Sequence, residues 1–290
     1  ATAVESKAPP SCSAFIATGS YTSDGAIVMA HNTWEDYLIG ERWNVILDVV
    51  PDSGYRVLMD ALPGFVHSGS DFYVTGGGLL ITETTIFQFT GFRADGIPEF
   101  ARIRRAAQYA DSIDAFVGIM TTDGNGAYAN DWLVGDLKTN EIARLELGLK
   151  NHRVWRTNDG YYVGANFPLD EKLIAEETTF DPKNAGQSFF VRRDRWEQLM
   201  EENRGKIDVK KAMAFLGDHV DASKGTEARN ANVLCGHVDE DPAAEYDSPA
   251  FEPLGSVNGK AISAALAKDM KMWARMGHSC GEDFLAAPFA

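Results

Sequence analysis

Apolar and polar side chains alternate along most of the first 166 positions of this 290-residue chain, and the spacing becomes helical after about residue 189. The alternation starts at Ser13-Ala14-Phe15-Ile16-Ala17 and resumes at Ala26-Ile27-Val28-Met29, beyond a turn cluster of Ser20, Ser23, Asp24 and Gly25. Two such runs joined by an Asp-Gly turn predict a hairpin. It opens on Cys12 and closes on Ala30-His31-Asn32-Thr33-Trp34, so pairing is expected to return His31 beside Cys12. Residues 43–50 and 55–59 predict a second hairpin across Pro51-Asp52-Ser53-Gly54. Residues 71–75 and 79–86 predict two more strands across Gly76-Gly77-Gly78. Those glycines lead into a β-branched strand and lack a following Gly-Lys-Ser/Thr, which makes them a turn rather than a phosphate cradle.

Helical spacing first appears at residues 98–109, opened by Pro98-Glu99 and carrying Phe100, Ile103, Ala107 and Ala110 on one side. A second helix is expected over 111–120 with Asp111 as its cap. Strands follow at 132–136 and 142–147, and those at 154–157 and 161–166 flank Asn158-Asp159-Gly160, a hairpin signal. Helices are expected over 189–203, 209–220 and 261–276. The order of elements predicts an α+β fold. Residues 12–290 read as a single domain, and residues 1–11, which lack an apolar signal-peptide core, as a propeptide remnant or flexible tail.

Composition narrows the function classes. A net charge of −15 and a pI near 4.8 disfavour nucleic acid and anionic membrane surfaces as partners. No apolar run is long enough to predict a membrane-spanning helix, and no basic amphipathic helix is present, so stable membrane insertion is not expected. The local basic cluster Arg192-Arg193-Asp194-Arg195 reads as a solvated, ion-paired helix face ahead of an anion site. Three cysteines are too few for a disulfide framework. Cys235-Gly236-His237 and His278-Ser279-Cys280 together offer two Cys and two His. Their one-residue spacing is tighter than that of zinc ribbons. Buried free thiols are preferred over a Cys235–Cys280 disulfide, and both over a metal; no metal or cofactor is predicted.

Cys12-Ser13-Ala14, the Asp-Gly turn and Ala30-His31-Asn32-Thr33-Trp34 followed by Asp36-Tyr37 resemble the nucleophile hairpin of N-terminal-nucleophile (Ntn) hydrolases, most closely the phospholipase B-like family. Gly126-Ala127-Tyr128-Ala129-Asn130-Asp131-Trp132, Asp71-Phe72-Tyr73-Val74-Thr75 and Thr82-Glu83-Thr84-Thr85-Ile86 are similar to further segments of that family, and the matches cover about residues 12–147. Asn-Val-Leu-Cys-Gly-His and Gly-His-Ser-Cys-Gly-Glu-Asp-Phe in the second half look more like the related acyl-coenzyme A:6-aminopenicillanate acyltransferase group. The resemblance implies a four-layer αββα sandwich of two antiparallel sheets. It also implies an autocatalytic cut that frees Cys12, whose α-amine (pKa roughly 7.7–8.0) then serves as base to its own thiol. By the same match Asn130 helps form an oxyanion hole and His31 orients or protonates the leaving group. Asn32, Trp34 and Thr84, in the matching strings, are the candidate substrate contacts. Glu83 fits a buried acid and a strand's polar face equally well.

The expected reaction is cleavage of a linear N-acyl amide through a thioester, in a zymogen activated before Cys12. Acyl transfer to an amine and phospholipid ester hydrolysis are the enzymatic alternatives; an unprocessed, non-catalytic binding protein is the alternative from another class. The partner expected is a small acyl amide or lipid-like molecule. Homo-oligomerisation is left open, as are secreted, periplasmic and lysosome-like compartments.

Overall fold

Both faces of the first hairpin are apolar, and that decides the layering. The computed structural model describes residues 12–184, 186–241 and 254–283; the expected tail or propeptide remnant at 1–11 lies outside them. In chain order the elements begin with strands β1 (Cys12–Thr18) and β2 (Val28–Asp36), the short helix α1 (Tyr37–Gly40), and strands β3 (Val45–Val49), β4 (Val57–Ala61), β5 (Phe72–Thr75) and β6 (Leu79–Thr85). Helices α2 (Glu99–Tyr109) and α3 (Ile113–Met120) precede β7 (Asn130–Asp136), β8 (Glu141–Leu147), β9 (His152–Thr157) and β10 (Gly160–Gly164). Then come α4 (Glu171–Glu177), α5 (Ser188–Glu202), α6 (Val209–Leu216), the small strands β11 (Val220–Asp221) and β12 (Thr226–Glu227), β13 (Leu254–Ser263), α7 (Ala264–Lys268) and β14 (Trp273–Met276).

Two antiparallel sheets result, one in the order β10-β1-β2-β13-β14 and one running β3 through β9. Successive side chains of β1 point to opposite faces. Ala14 and Ile16 pack against Phe72, Val74, Leu80 and Leu133 of the other sheet, while Phe15 and Ala17 pack into a helical layer with Phe189, Trp196 and Phe215. On the far side Met59, Tyr73, Ile81 and Trp132 meet Ile103, Ala106 and Phe116 of α2 and α3. The fold is the expected αββα sandwich. Burying each of these large side chains contributes about 1.5–3 kcal/mol. Arg144 stitches the layers: it pairs with Asp131 and Glu146 within its own sheet and donates to the carbonyls of Val163 and Phe167 beside the other.

Three sequence expectations are corrected. Residues 261–276 are not one helix. β13 is a strand between β2 and β14, buried along nearly its whole length. With both faces covered it shows no alternation, and the alanines that suggested a longer helix lie mostly after it, in the short helix α7. Its glycines permit close approach: a Cβ on Gly255 would lie 2.2 Å from the Tyr37 hydroxyl. Next, β9 and β10 do not form a hairpin but belong to different sheets, β9 pairing β8 and β10 pairing β1. The Asn158-Asp159 turn docks on the first hairpin, where the Ser20 amide donates to Asp159 Oδ1 at 2.6 Å, and this carries the chain across. Finally, Ser112 rather than Asp111 caps α3, its hydroxyl accepting from the Ala115 amide, and Phe100 on α2 is exposed.

Candidate active site

Cys12 is the first residue of β1 and is buried. The register sets Thr33 opposite Cys12 and His31 opposite Ala14, two pairs further in than the hairpin pattern predicts. The backbone of Cys12 is held at both ends of the residue: its N–H donates to Asn166 Oδ1 at 3.4 Å, and its carbonyl accepts from Arg192 Nη1 at 2.5 Å. Asn166 follows β10 with φ +70°, a conformation Asn tolerates, and its own amide donates to the Thr85 carbonyl. Arg192, on α5, is fully buried. It donates further to Ser13 Oγ (3.0 Å), the Ala165 carbonyl (3.2 Å) and Asn166 Oδ1 (3.0 Å), and lies 4.4 Å over the Trp34 ring. A planar guanidinium with five N–H donors suits such a set of acceptors. Arg193 and Arg195 do make the expected surface ion pairs, with Asp194 and Asp218. Arg192 does not.

The thiol looks onto acids. Cys12 Sγ and carboxylate oxygens of Asp71 and Glu83 all lie within 4.8 Å of one another. Asp71, at φ +58°, precedes β5. Burial, the Glu83 charge and a hydrogen bond with Glu83 push Asp71 well above the ordinary carboxyl range. Burial also raises Glu83, against hydrogen bonds from Asp71, Asn130 and Tyr128 that favour its charged form. Asn130 Nδ2 donates to Glu83 Oε2 at 2.6 Å and Tyr128 donates to Oε1 at 2.9 Å. The proposed oxyanion donor thus spends one amide hydrogen on Glu83 and keeps the second. Glu83 itself is the buried acid of the two sequence alternatives.

Glu99 on α2 extends this acidic group; burial, with the Glu83 charge adding and Arg102 opposing, pushes it up to about 8. An unfolded-state value near 4.5 means the folded chain binds the extra proton between pH 4.5 and about 8, so stability falls as pH rises through that window. Glu99→Gln is expected to flatten this dependence and to gain on the wild type, by a few kcal/mol at pH 8. Urea midpoints measured from pH 5 to pH 8 check it, and parallel curves would refute it.

Behind Cys12, Lys260 of β13 is fully buried. Its ammonium donates to Thr33 Oγ1 (2.9 Å), the Ser70 carbonyl (2.9 Å) and Asn258 Oδ1 (2.5 Å), with Asp60 at 3.8 Å. Burial lowers its pKa, against the charges of Asp60, Cys12 and Asp71. His31 is buried too, and burial followed by the Lys260 charge holds it well below the ordinary imidazole value, so it is neutral at pH 7. The Glu83 backbone lies beside the ring without forming a well-aligned hydrogen bond. The candidate substrate contacts Asn32, Trp34 and Thr84 are fully buried, as Cys12 is. Asn32 pins the hairpin, accepting from the Ser13 amide and donating to the carbonyls of Leu216 and Leu234. Trp34 supports Arg192, and Thr84 packs against Gly164 of the facing sheet.

The sequence model of the phospholipase B family matches residues 2–155, just over half of the chain and all of its first hairpin. This chain belongs to the phospholipase B family. Human phospholipase B-like 1 is 32% identical over 87% of this chain and 49% of that protein, so the similarity continues past the first half. Phospholipase B of Crotalus adamanteus is 24% identical, over 77% of this chain and 46% of that protein. This family member spans about half the length of the relatives it matches. Among solved structures it is similar to a variant of conjugated bile acid hydrolase from Clostridium perfringens, with a TM-score of 0.55 and 11% identity over 93% of this chain and 95% of that one. Penicillin V acylase from Agrobacterium tumefaciens gives a TM-score of 0.51 at 11% identity, over 91% and 83% of the two chains. At such identities the likeness is one of fold, and it is the Ntn-hydrolase fold.

Asn166, Arg192 and Lys260 escaped the sequence reading. Arg192 appeared there only within a basic cluster read as a surface helix face, and Asn166 only as the end of the strand at 161–166.

Proposed function

We propose that this phospholipase B family member is a cysteine-nucleophile acyl hydrolase, activated by cleavage before Cys12. The observation that carries it is the double clamp on the Cys12 backbone by Asn166 and Arg192, with the thiol turned towards Asp71 and Glu83. In activation, Cys12 Sγ adds to the Ser11 carbonyl. The Cys12 nitrogen leaves with the thiol proton, and water then hydrolyses the resulting thioester, which restores the thiol and frees residues 1–11. The new α-amine keeps Asn166 Oδ1 as its acceptor, which orients its lone pair for proton transfer. In turnover, the amine takes the Cys12 proton as sulfur adds to an acyl carbonyl and returns it to the leaving group. Water cleaves the thioester and restores the thiol. In this reading the second amide hydrogen of Asn130 meets the oxyanion, with Asp71 and Glu83 beside the thiol.

Linear N-acyl amides are the substrates this reading puts first, since the chain offers no basic amphipathic surface for a bilayer. The names of the relatives favour a second reading, ester hydrolysis of phospholipids. The test combines amino-terminal sequencing with a substrate panel. Wild type should begin at Cys12 after incubation and release acid from N-acyl amides; Cys12→Ala should keep residues 1–11 and be inactive. Faster release from phospholipid micelles than from any N-acyl amide would transfer the assignment to the ester reading. Processing or hydrolysis surviving in Cys12→Ala would end both.

A further inference from the structure

Away from Cys12, a second group of reactive side chains converges. His219 immediately precedes β11, Cys235 and His237 lie on the loop between β12 and β13, and Cys280 follows β14. One ligand atom from each, two ring nitrogens and two sulfurs, lies within 4.8 Å of all the others. His219 Nε2 and His237 Nε2 are 3.0 Å apart, and Cys280 Sγ is 3.8 Å from His237 Nε2. A tetrahedral zinc ion with bonds of about 2.0 Å to nitrogen and 2.3 Å to sulfur separates its nitrogens by about 3.3 Å and its sulfurs by about 3.8 Å. The four atoms are already spaced for it.

We infer that His219, Cys235, His237 and Cys280 form a structural site for one Zn²⁺ ion. Three local features favour it. Glu240 Oε1 lies 3.1 Å from His237 Nδ1. That carboxylate holds the proton on Nδ1 and leaves the Nε2 lone pair aimed at the centre of the group, the outer-shell arrangement typical of metal-bound histidine. Gly236, at φ +71°, folds the Cys-Gly-His turn tightly enough for both flanking side chains to reach one point. This answers the one-residue spacing that weighed against a metal in the sequence. The donor chemistry is also selective, since two thiolates and two imidazoles in a tetrahedron suit zinc and neutralise its charge. Four protein donors leave no open position, so the ion holds structure and does no chemistry. The sequence had grouped Cys235 and His237 with His278; the fold brings His219 in its place, and His278 stacks on His237 outside the set, with ring centroids 4.8 Å apart.

The site bears on the nucleophile through its backbone. Leu234, next to Cys235, supplies the carbonyl that accepts from Asn32 at 2.6 Å, and Asn32 in turn accepts from the Ser13 amide beside Cys12. Gly236 packs against Trp34, where a Cβ would come within 2.2 Å of the indole. A fixed 234–237 loop therefore fixes the floor under the first hairpin.

The test uses the whole chain, purified with chelator and reductant and then titrated with Co²⁺ and Zn²⁺. Expected are the ligand-field bands of tetrahedral cobalt with a thiolate charge-transfer band, their displacement by one equivalent of Zn²⁺, and a rise in Tm with zinc. Cys235→Ser and His219→Ala should weaken cobalt binding by at least ~10-fold. Cys12→Ser should leave it unchanged, which separates this site from the Cys12 group and from any failure of the hydrolase reading. Should the cysteine variant not fold, the wild-type cobalt spectrum decides alone. Wild type lacking those bands, or a denatured mass two hydrogens light with only Cys12 open to alkylation (a Cys235–Cys280 disulfide), would overturn the inference.

Discussion

Arg192→Lys is expected to lose at least 100-fold in acyl hydrolysis and about 3 kcal/mol of stability, lowering Tm by roughly 6–12 °C. Lysine keeps the charge but not the planar fork. Its single ammonium cannot reach the Cys12 carbonyl, Ser13 Oγ, the Ala165 carbonyl and Asn166 Oδ1 together, as the guanidinium does. At least two buried acceptors are then left without a donor, at about 1–3 kcal/mol each. The functional loss should exceed the thermodynamic one, because Asn166 and the Cys12 backbone are positioned by the same side chain. Measuring kcat and KM on folded protein well below its Tm separates the two: a fall confined to kcat supports positioning of the nucleophile. Wild-type kcat in a destabilised variant would reduce Arg192 to a packing residue.

Lys260→Met should cost about 3–5 kcal/mol at pH 7, because it strands the buried Asp60 carboxylate without its cation. The pH dependence identifies the cause. Burial already raises Asp60, and Lys260 with the Ser70 hydroxyl (2.7 Å) holds it down. Without Lys260 its folded pKa climbs further above the unfolded value, so the folded variant binds the extra proton. The variant's deficit is then full at pH 7 and shrinks as pH falls towards the ordinary aspartate range. Asp60→Asn in the Lys260→Met background should recover part of the loss at pH 7 and none at low pH. Chemical denaturation of the four proteins at pH 5 and 7 completes the cycle. A deficit independent of pH would point to lost packing instead.

Much of the fold was legible because most strands here have one face different from the other. The first hairpin, the meander from β3 to β6 and helices α2, α5 and α6 follow from period and turn chemistry alone. β13 was not legible, since burial of both faces removes the alternation that marks a strand, and the alanine-rich helix α7 follows it directly. The crossing from β9 to β10 was hidden for another reason. Asn158-Asp159-Gly160 is good hairpin chemistry, and nothing local says that the following strand will prefer β1. At the candidate site, Cys12 and Glu83 stood out within strings resembling the family. Arg192 could not, as a buried arginine inside Arg-Arg-Asp-Arg has the same sequence as a solvated one. Lys260 depends on pairings across most of the chain, and His219 on partners 16 to 61 residues further on, beyond the window of any local motif.

Those distant pairings also set a timetable. β2, which carries Thr33, is made early, but its neighbour β13 lies roughly 220 residues further on and emerges from the ribosome roughly 10–45 s later. Until then β2 is paired on its β1 side only, and Arg192 on α5 and Lys260 on β13 are the last of the site's partners to arrive. The thiol is therefore synthesised first and surrounded last, so a nascent or truncated chain carries the cysteine without its clamps. Under the proposed activation, order of synthesis thus delays cleavage before Cys12 until the chain has folded.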